Sequence, residues 1–267
     1  MKNLKLFLTK HPILSVICLT IIWFTLGILF MGISSSILKR EFGDTITVII
    51  GLFVALAFIL WLTWQLDWLK AAGITGLGNY KVWLLALAGI IYFVPASLYS
   101  FFGNLSFQFS NLINLDVSGS VIIRNIFVCV GEEVFFRGTV LFILVRVWGN
   151  TKKGLIGSVL LMSLIFAFMH ATATFSSGLS GTSLLLLITE AFIISIWWGA
   201  LVLNGRSIWP AFMAHYAVNT VVALQASSVS FIEPITETYT RILLFSIPLG
   251  ISGIWLLLQT FKRQTVQ

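Results

Sequence analysis

Long apolar runs separated by short polar stretches organise this chain: 12–38, 45–66, 82–102, 120–147, 154–174, 184–203, 207–226 and 241–261. Each holds about twenty residues with few charges, the length an α-helix needs to cross the hydrocarbon core of a bilayer. The pattern predicts an all-α fold, a polytopic membrane helical bundle of about eight transmembrane helices. The longest polar connectors, 103–119 and 227–240, are both expected on the outer side. Lys2, Lys5 and Lys10 precede the first run, as in a signal peptide. That run is too long for a signal-peptide core and no small-x-small cleavage site follows it, so it reads as a retained span. Trp61, Trp64 and Trp68, around the end of the second run, fit an interfacial aromatic belt.

Composition agrees with the pattern. Of 267 residues, 58% are hydrophobic and 9% charged, with mean hydropathy +1.02, where a soluble domain carries about 25% charged residues. The net charge of +7 would suit a polyanion, but its distribution points elsewhere. With a cytoplasmic N-terminus, the inner side collects Lys2, Lys5, Lys10, Lys70, Lys81, Arg146, Lys152, Lys153, Arg206, Lys262 and Arg263, and the outer side only Lys39, Arg40 and Arg241. This asymmetry orients a cell-membrane protein with both termini cytoplasmic, and no nucleic-acid partner is expected. Cys18 and Cys129 both fall within apolar runs and set neither a disulfide framework nor a zinc motif.

Against that background the fourth run is anomalous, because it contains Glu132, Glu133 and Arg137. Each unpartnered charge at the centre of a membrane helix costs about 2.5–3.5 kcal/mol on insertion scales. On a helix, Glu133 and Arg137 are i,i+4 and can pair, while Glu132 is rotated by about 100° onto another face. The reading divides the labour: Glu133 and Arg137 support, and Glu132 faces a cavity. His170 shares a face with Phe166, and His215 with Asn219, again at i,i+4. A lone membrane histidine is ordinarily an interfacial or packing residue, and a His–Asn pair ordinarily joins two helices. Three such faces in one chain make joint coincidence a weaker account. Glu190, in the sixth run, calls for a partner such as Arg124, Arg137 or a histidine, or a proton of its own.

Together these groups are the parts of an amide hydrolase. A carboxylate with an imidazole activates water, and an imidazole with a carboxamide stabilises the oxyanion of a cleaved peptide. A metal site would use the same atoms differently. Glu132, His170 and His215 would be three ligands of a divalent ion such as zinc, leaving a position for water. The residues alone leave both routes open, and no H-e-x-x-H zincin spacing is present.

The ordered set Glu132-Glu133…Arg137, Phe166…His170 and His215…Asn219 resembles that of the CAAX protease and bacteriocin-processing family of intramembrane proteases. Gly199 to His215 also resembles that family's turn between its last two core helices. The resemblance implies a four-helix catalytic core over 120–226 around a buried polar active-site cavity. It makes 1–119 a scaffold of N-terminal helices and 227–267 a C-terminal helix with a basic tail. It implies that Glu132 and His170 position the attacking water, that Glu133 and Arg137 support them, and that His215 and Asn219 hold the oxyanion. The family is often described as metalloproteases, while a metal-free glutamate mechanism is argued for relatives. The expected activity is endopeptidase cleavage of a membrane-associated peptide or protein. Composition resembles that of a bacterial membrane protein, where prenylated CAAX substrates are not expected. Two other classes stand beside this one. A non-catalytic bacteriocin self-immunity or scaffold protein would not need Glu132. A proton-coupled transporter would be expected to carry a repeat symmetry that the chain lacks.

Overall fold

The computed structural model describes residues 1–102, 119–174, 181–226, 239 and 241–265. The connectors predicted at 103–119 and 227–240 fall almost wholly outside these residues, and the side chains of Lys39 and Arg40 are outside them too. Every regular element among the described residues is helical. The order is α1 (Lys2–Lys10), α2 (Pro12–Gln65), α3 (Tyr80–Phe102) and α4 (Gly119–Glu132), which continues as a π-helix (Glu133–Leu141) into α5 (Phe142–Trp148). Then come α6 (Lys152–Thr174), α7 (Gly181–Gly205), α8 (Trp209–Ala226) and a π-turn (Ile242–Ser246) that leads into α9 (Ile247–Thr265).

Among the described residues, five stretches are long and apolar enough to cross a membrane: Pro12–Ile37, Thr45–Gln65, Lys152–Ala171, Gly181–Gly205 and Ile242–Lys262. Tyr80–Phe93 is a shorter apolar helix. The expected runs 120–147 and 207–226 are helical as well, the first divided into α and π parts.

α2 begins with Pro12 at a position where its missing N–H costs nothing. Straight, its 54 residues would reach about 80 Å, far beyond the ~30 Å of a bilayer core. The run instead folds back on itself, so that its two apolar stretches pack side by side. Ser34 Oγ donates to the Thr47 carbonyl at 3.2 Å. Gly51 lies so close to the opposite arm that a Cβ there would stand 2.5 Å from the Gly27 oxygen and 3.0 Å from the Met31 nitrogen. Gly51→Ala is therefore expected to lower the melting temperature of the detergent-solubilised protein, with an overpacking cost of about 1–3 kcal/mol. Gly32→Ala, where an added Cβ meets nothing within 4 Å, should leave it unchanged. Equal melting of the two variants would contradict this packing.

The hairpin braces the helix that carries the charges. Trp23 stacks flat on Phe135 (centroids 4.6 Å apart, 1° between planes) and meets Phe136 edge-on at 5.8 Å. On the other side α6 packs on α7 and on the π segment, α7 on α8 and α9, and α8 on α3 and α4. At one end of the bundle, the connector after α2 joins the α7–α8 turn. Ile208 N–H donates to Gly73 O at 3.1 Å, Ser207 Oγ to Gly76 O at 2.5 Å and Trp209 Nε1 to Ile74 O at 2.9 Å. Gly73 has φ +74°, a left-handed conformation that a side chain would oppose. Trp68, on the same connector, meets Phe142 and Arg146, which brings the expected inner-side residues Lys5, Lys70 and Arg146 to this end.

Candidate active site

The π-helix Glu133–Leu141 begins immediately after Glu132, and every one of its residues is buried. Thr139 Oγ1 donates to the Val134 carbonyl five residues back, at 3.1 Å. Widened turns of this kind recur inside helices at functional sites. Here the widening falls on the stretch that presents Glu133 and Arg137.

Arg137 Nη1 stands 3.0 Å from Glu133 Oε1, and both side chains are wholly inaccessible. Arg137 Nη2 donates to Ser195 Oγ on α7 at 2.7 Å. The guanidinium carbon lies 4.3 Å from the Phe166 ring centre and 5.3 Å from that of Trp198. The cation is thus held by a carboxylate, a hydroxyl and two aromatic faces. These partners offset part of the cost of excluding water, while Nε and Nη1 make no hydrogen bond among the described residues.

Glu133 has a second partner that no local spacing forecast. His215 Nδ1 lies 2.9 Å from the same Oε1. A carboxylate that receives Arg137 can only accept, so Nδ1 carries the hydrogen and donates it to Glu133. In the neutral ring this leaves Nε2 as an acceptor, and Asn219 Nδ2 stands 3.2 Å from it. The same amide nitrogen donates weakly to Cys129 Sγ at 3.4 Å, while Asn125 Nδ2 reaches the Asn219 carbonyl at 3.4 Å. Trp198 stacks on the His215 ring at 4.2 Å, with 24° between planes. His215 is therefore clamped in the plane of its ring by Glu133 and Asn219 and across its face by Trp198.

Glu132 stands apart from this lattice. Its side chain is 19% accessible, against 0% for Glu133. Its Oε2 lies 3.6 Å from His215 Nε2 and has no hydrogen-bond partner among the described residues. The two adjacent carboxylates thus sit in different environments: Glu133 is sealed, with Oε1 meeting both Arg137 and His215 and Oε2 without a hydrogen-bond partner among the described residues, while Glu132 is partly accessible and meets only the His215 edge.

His170 joins the group through Phe166. Its Nδ1 lies 3.0 Å from the Phe166 carbonyl oxygen, and the two rings are 4.4 Å apart. Phe166 in turn meets the His215 ring edge-on at 5.9 Å. No hydrogen bond or ion pair among the described residues joins His170 directly to Glu132.

The ligand set Glu132, His170 and His215 does not converge on a metal position. Among the described residues no group of three or more His, Cys, Asp or Glu side chains is placed to hold an ion. Both ring nitrogens of His215 already face protein groups. No step through a metal is therefore derived from this arrangement.

Glu190 is paired with Arg241, not with Arg124, Arg137 or a histidine as the sequence led one to expect. Arg241 donates Nε to Oε1 at 2.5 Å and Nη2 to Oε2 at 2.6 Å. This bidentate pair ties α7 to the start of the last helix and lies outside the histidine cluster.

Sequence reasoning missed Cys129, Ser195 and Trp198. Cys129 could have been suspected, because it stands four residues before Glu133 and so shares its face. Ser195 and Trp198 sit in an apolar run with no distinguishing signal; only the packing of α7 brings them in. Residues 115–221, which include all six candidate residues, match the model of the Rce1-like family, described as type II CAAX prenyl endopeptidase Rce1-like. No curated protein and no solved structure matches the chain.

Proposed function

We propose, from the match of residues 115–221 to the model of the Rce1-like endopeptidase family, that this protein is an intramembrane endopeptidase. It hydrolyses a peptide bond in a membrane-associated protein or peptide, using Glu132 as the base. One observation carries the reading. The partly accessible side chain of Glu132 sets its unpartnered Oε2 against His215 Nε2, the ring atom that Asn219 also meets, while the sealed neighbour Glu133 is engaged by Arg137 and His215 through Oε1.

In the proposed reaction, water is held between Glu132 and the His170 imidazole, and Glu132 takes its proton as the oxygen attacks the carbonyl carbon. The oxyanion receives an N–H of Asn219, now spent on the weak acceptor Cys129 Sγ. When His215 carries a proton on both nitrogens, its Nε2–H donates to the same oxygen. As the C–N bond breaks, Glu132 returns the proton to the leaving amine. Substrate and water become an acid and an amine with no further reactant. Glu133 and Arg137 touch no reacting atom in this scheme; they hold the His215 ring. The reaction is written on protein groups, with both termini on the cytoplasmic side. Comparative profiling of membrane and secreted peptides in cells with wild-type protein or Glu132→Ala tests it. A peptide pair cut only in the wild type is expected, and identical profiles with both proteins correctly inserted would refute the proposal.

Trp198 follows from the same scheme as a positioning residue. Trp198→Leu removes the surface against which His215 is stacked and should lower kcat by about tenfold or more, a barrier rise of about 1.4 kcal/mol. KM should move little. Trp198→Phe, which keeps an aromatic face, should recover most of the rate. If both variants cleave like the wild type, the stacking does not position His215 for the reaction.

A further inference from the structure

At the end of the molecule where α1, the connector after α2 and α5 meet, there is a cavity the peptidase reading does not use. It has a volume of about 370 Å³ and is lined by Lys2, Asn3, Lys5, Leu6, Thr9 and Arg146. Three of these six are cations and none is a carboxylate. Two of the cations are held in place. Lys5 Nζ donates to the Leu66 carbonyl at 2.8 Å and stands 5.8 Å from the centre of the Trp68 ring. Arg146 also stands 5.8 Å from that ring and 5.8 Å from Phe142. Trp68 is 1% exposed, so both cations rest against one rigid aromatic wall. Like charges gathered without a counter-charge repel one another, and an anion seated among them relieves that repulsion.

The surroundings of α1 indicate which anion. This nine-residue helix ends immediately before the apolar stretch that starts at Pro12. It leaves Leu4, Leu6 and Phe7 exposed while Leu8 is buried. A short helix that exposes apolar side chains beside lysines, at the mouth of a membrane span, sits at the level of the lipid headgroups. The anions concentrated at that depth are phosphodiesters, and basic pockets between membrane helices bind them. A guanidinium offers a phosphate two parallel donors, and an ammonium a point charge.

We propose that this cavity binds the phosphodiester headgroup of an anionic phospholipid, with Lys2, Lys5 and Arg146 as the cationic donors and Leu6 beside the glycerol. Bound there, the lipid would link α1 to α5, the continuation of the helix that carries Glu132. The proposal is independent of the peptidase reading, because its readout is lipid retention and not cleavage.

The test uses the full-length purified protein in zwitterionic detergent, incubated with equimolar phosphatidylglycerol and phosphatidylcholine of identical chains and examined by native mass spectrometry. Retention of phosphatidylglycerol about tenfold or more above phosphatidylcholine is expected. The double variant Lys2→Gln/Arg146→Gln should abolish that preference; Lys5 is left intact because it also caps the Leu66 carbonyl. The control Lys70→Gln/Lys81→Gln removes the same charge from outside the cavity and should keep the preference. Equal retention of the two lipids overturns the proposal, as does equal loss in both double variants. Displacement of phosphatidylglycerol by an equimolar amount of inorganic phosphate would identify a free-phosphate site and overturn the lipid assignment.

Discussion

Glu132→Gln is expected to reduce peptide cleavage by purified, reconstituted protein about 10²–10⁴-fold, the usual contribution of a positioned acid–base group. The protein should remain folded and inserted. The substitution keeps the shape of the side chain and removes only its capacity to take a proton. The folded state tolerates this because Glu132 is partly accessible and its Oε2 has no hydrogen-bond partner to lose. The measurement is initial rate against melting temperature for the two proteins in the same lipid. Cleavage within a few-fold of wild type would remove Glu132 from the role of base. Loss of melting cooperativity would instead mark it as a structural residue. The pair of readouts separates catalysis from folding, which activity alone does not do.

The second large effect concerns stability. Glu133→Leu leaves Arg137 buried, with Ser195 as its only remaining hydrogen-bond acceptor among the described residues and Phe166 and Trp198 as aromatic contacts. Breaking one side of a buried ion pair costs about 3–5 kcal/mol, because an uncompensated charge stays behind. The same change takes away the acceptor of His215 Nδ1–H. The melting temperature of Glu133→Leu should therefore fall steeply. The double variant Glu133→Leu/Arg137→Met removes the stranded charge and should recover a large part of the loss, while Ser195 stays without Arg137 and His215 Nδ1 without Glu133. Cleavage should not return with folding, since the His215 ring is no longer oriented. If the single and double variants melt at the same temperature, Glu133 and Arg137 are not energetically coupled, and the account of this pair fails.

Much of the site could be read along the chain because membrane helices impose two strict local rules. A charge inside an apolar run is expensive, so Glu132, Glu133 and Arg137 stand out one by one. Helical periodicity places i and i+4 on one face, so Glu133 with Arg137, Phe166 with His170 and His215 with Asn219 could be paired without coordinates; each pair is in contact in the structure. Contacts between helices obey no such rule. Which face of α7 turns inward decides that Ser195 meets Arg137 and Trp198 covers His215. Both are ordinary residues in an apolar run until that rotation is known. Glu190 could be recognised as needing a partner, but its pairing with Arg241 spans fifty-one positions and depends on how α7 meets the last helix.

The chain by itself determines the all-helical membrane character, the stretches that become helices and the chemical inventory of the site, since burial cost and the 3.6-residue repeat act on neighbouring residues. Tertiary structure alone decides how adjacent carboxylates differ. In the sequence, Glu132 and Glu133 are two consecutive glutamates. The widening into a π-helix and the approach of α8 hand Glu133 to both Arg137 and His215, and leave Glu132 accessible beside the other edge of the same imidazole. That distinction arises from packing between helices, which carries no periodicity along the chain.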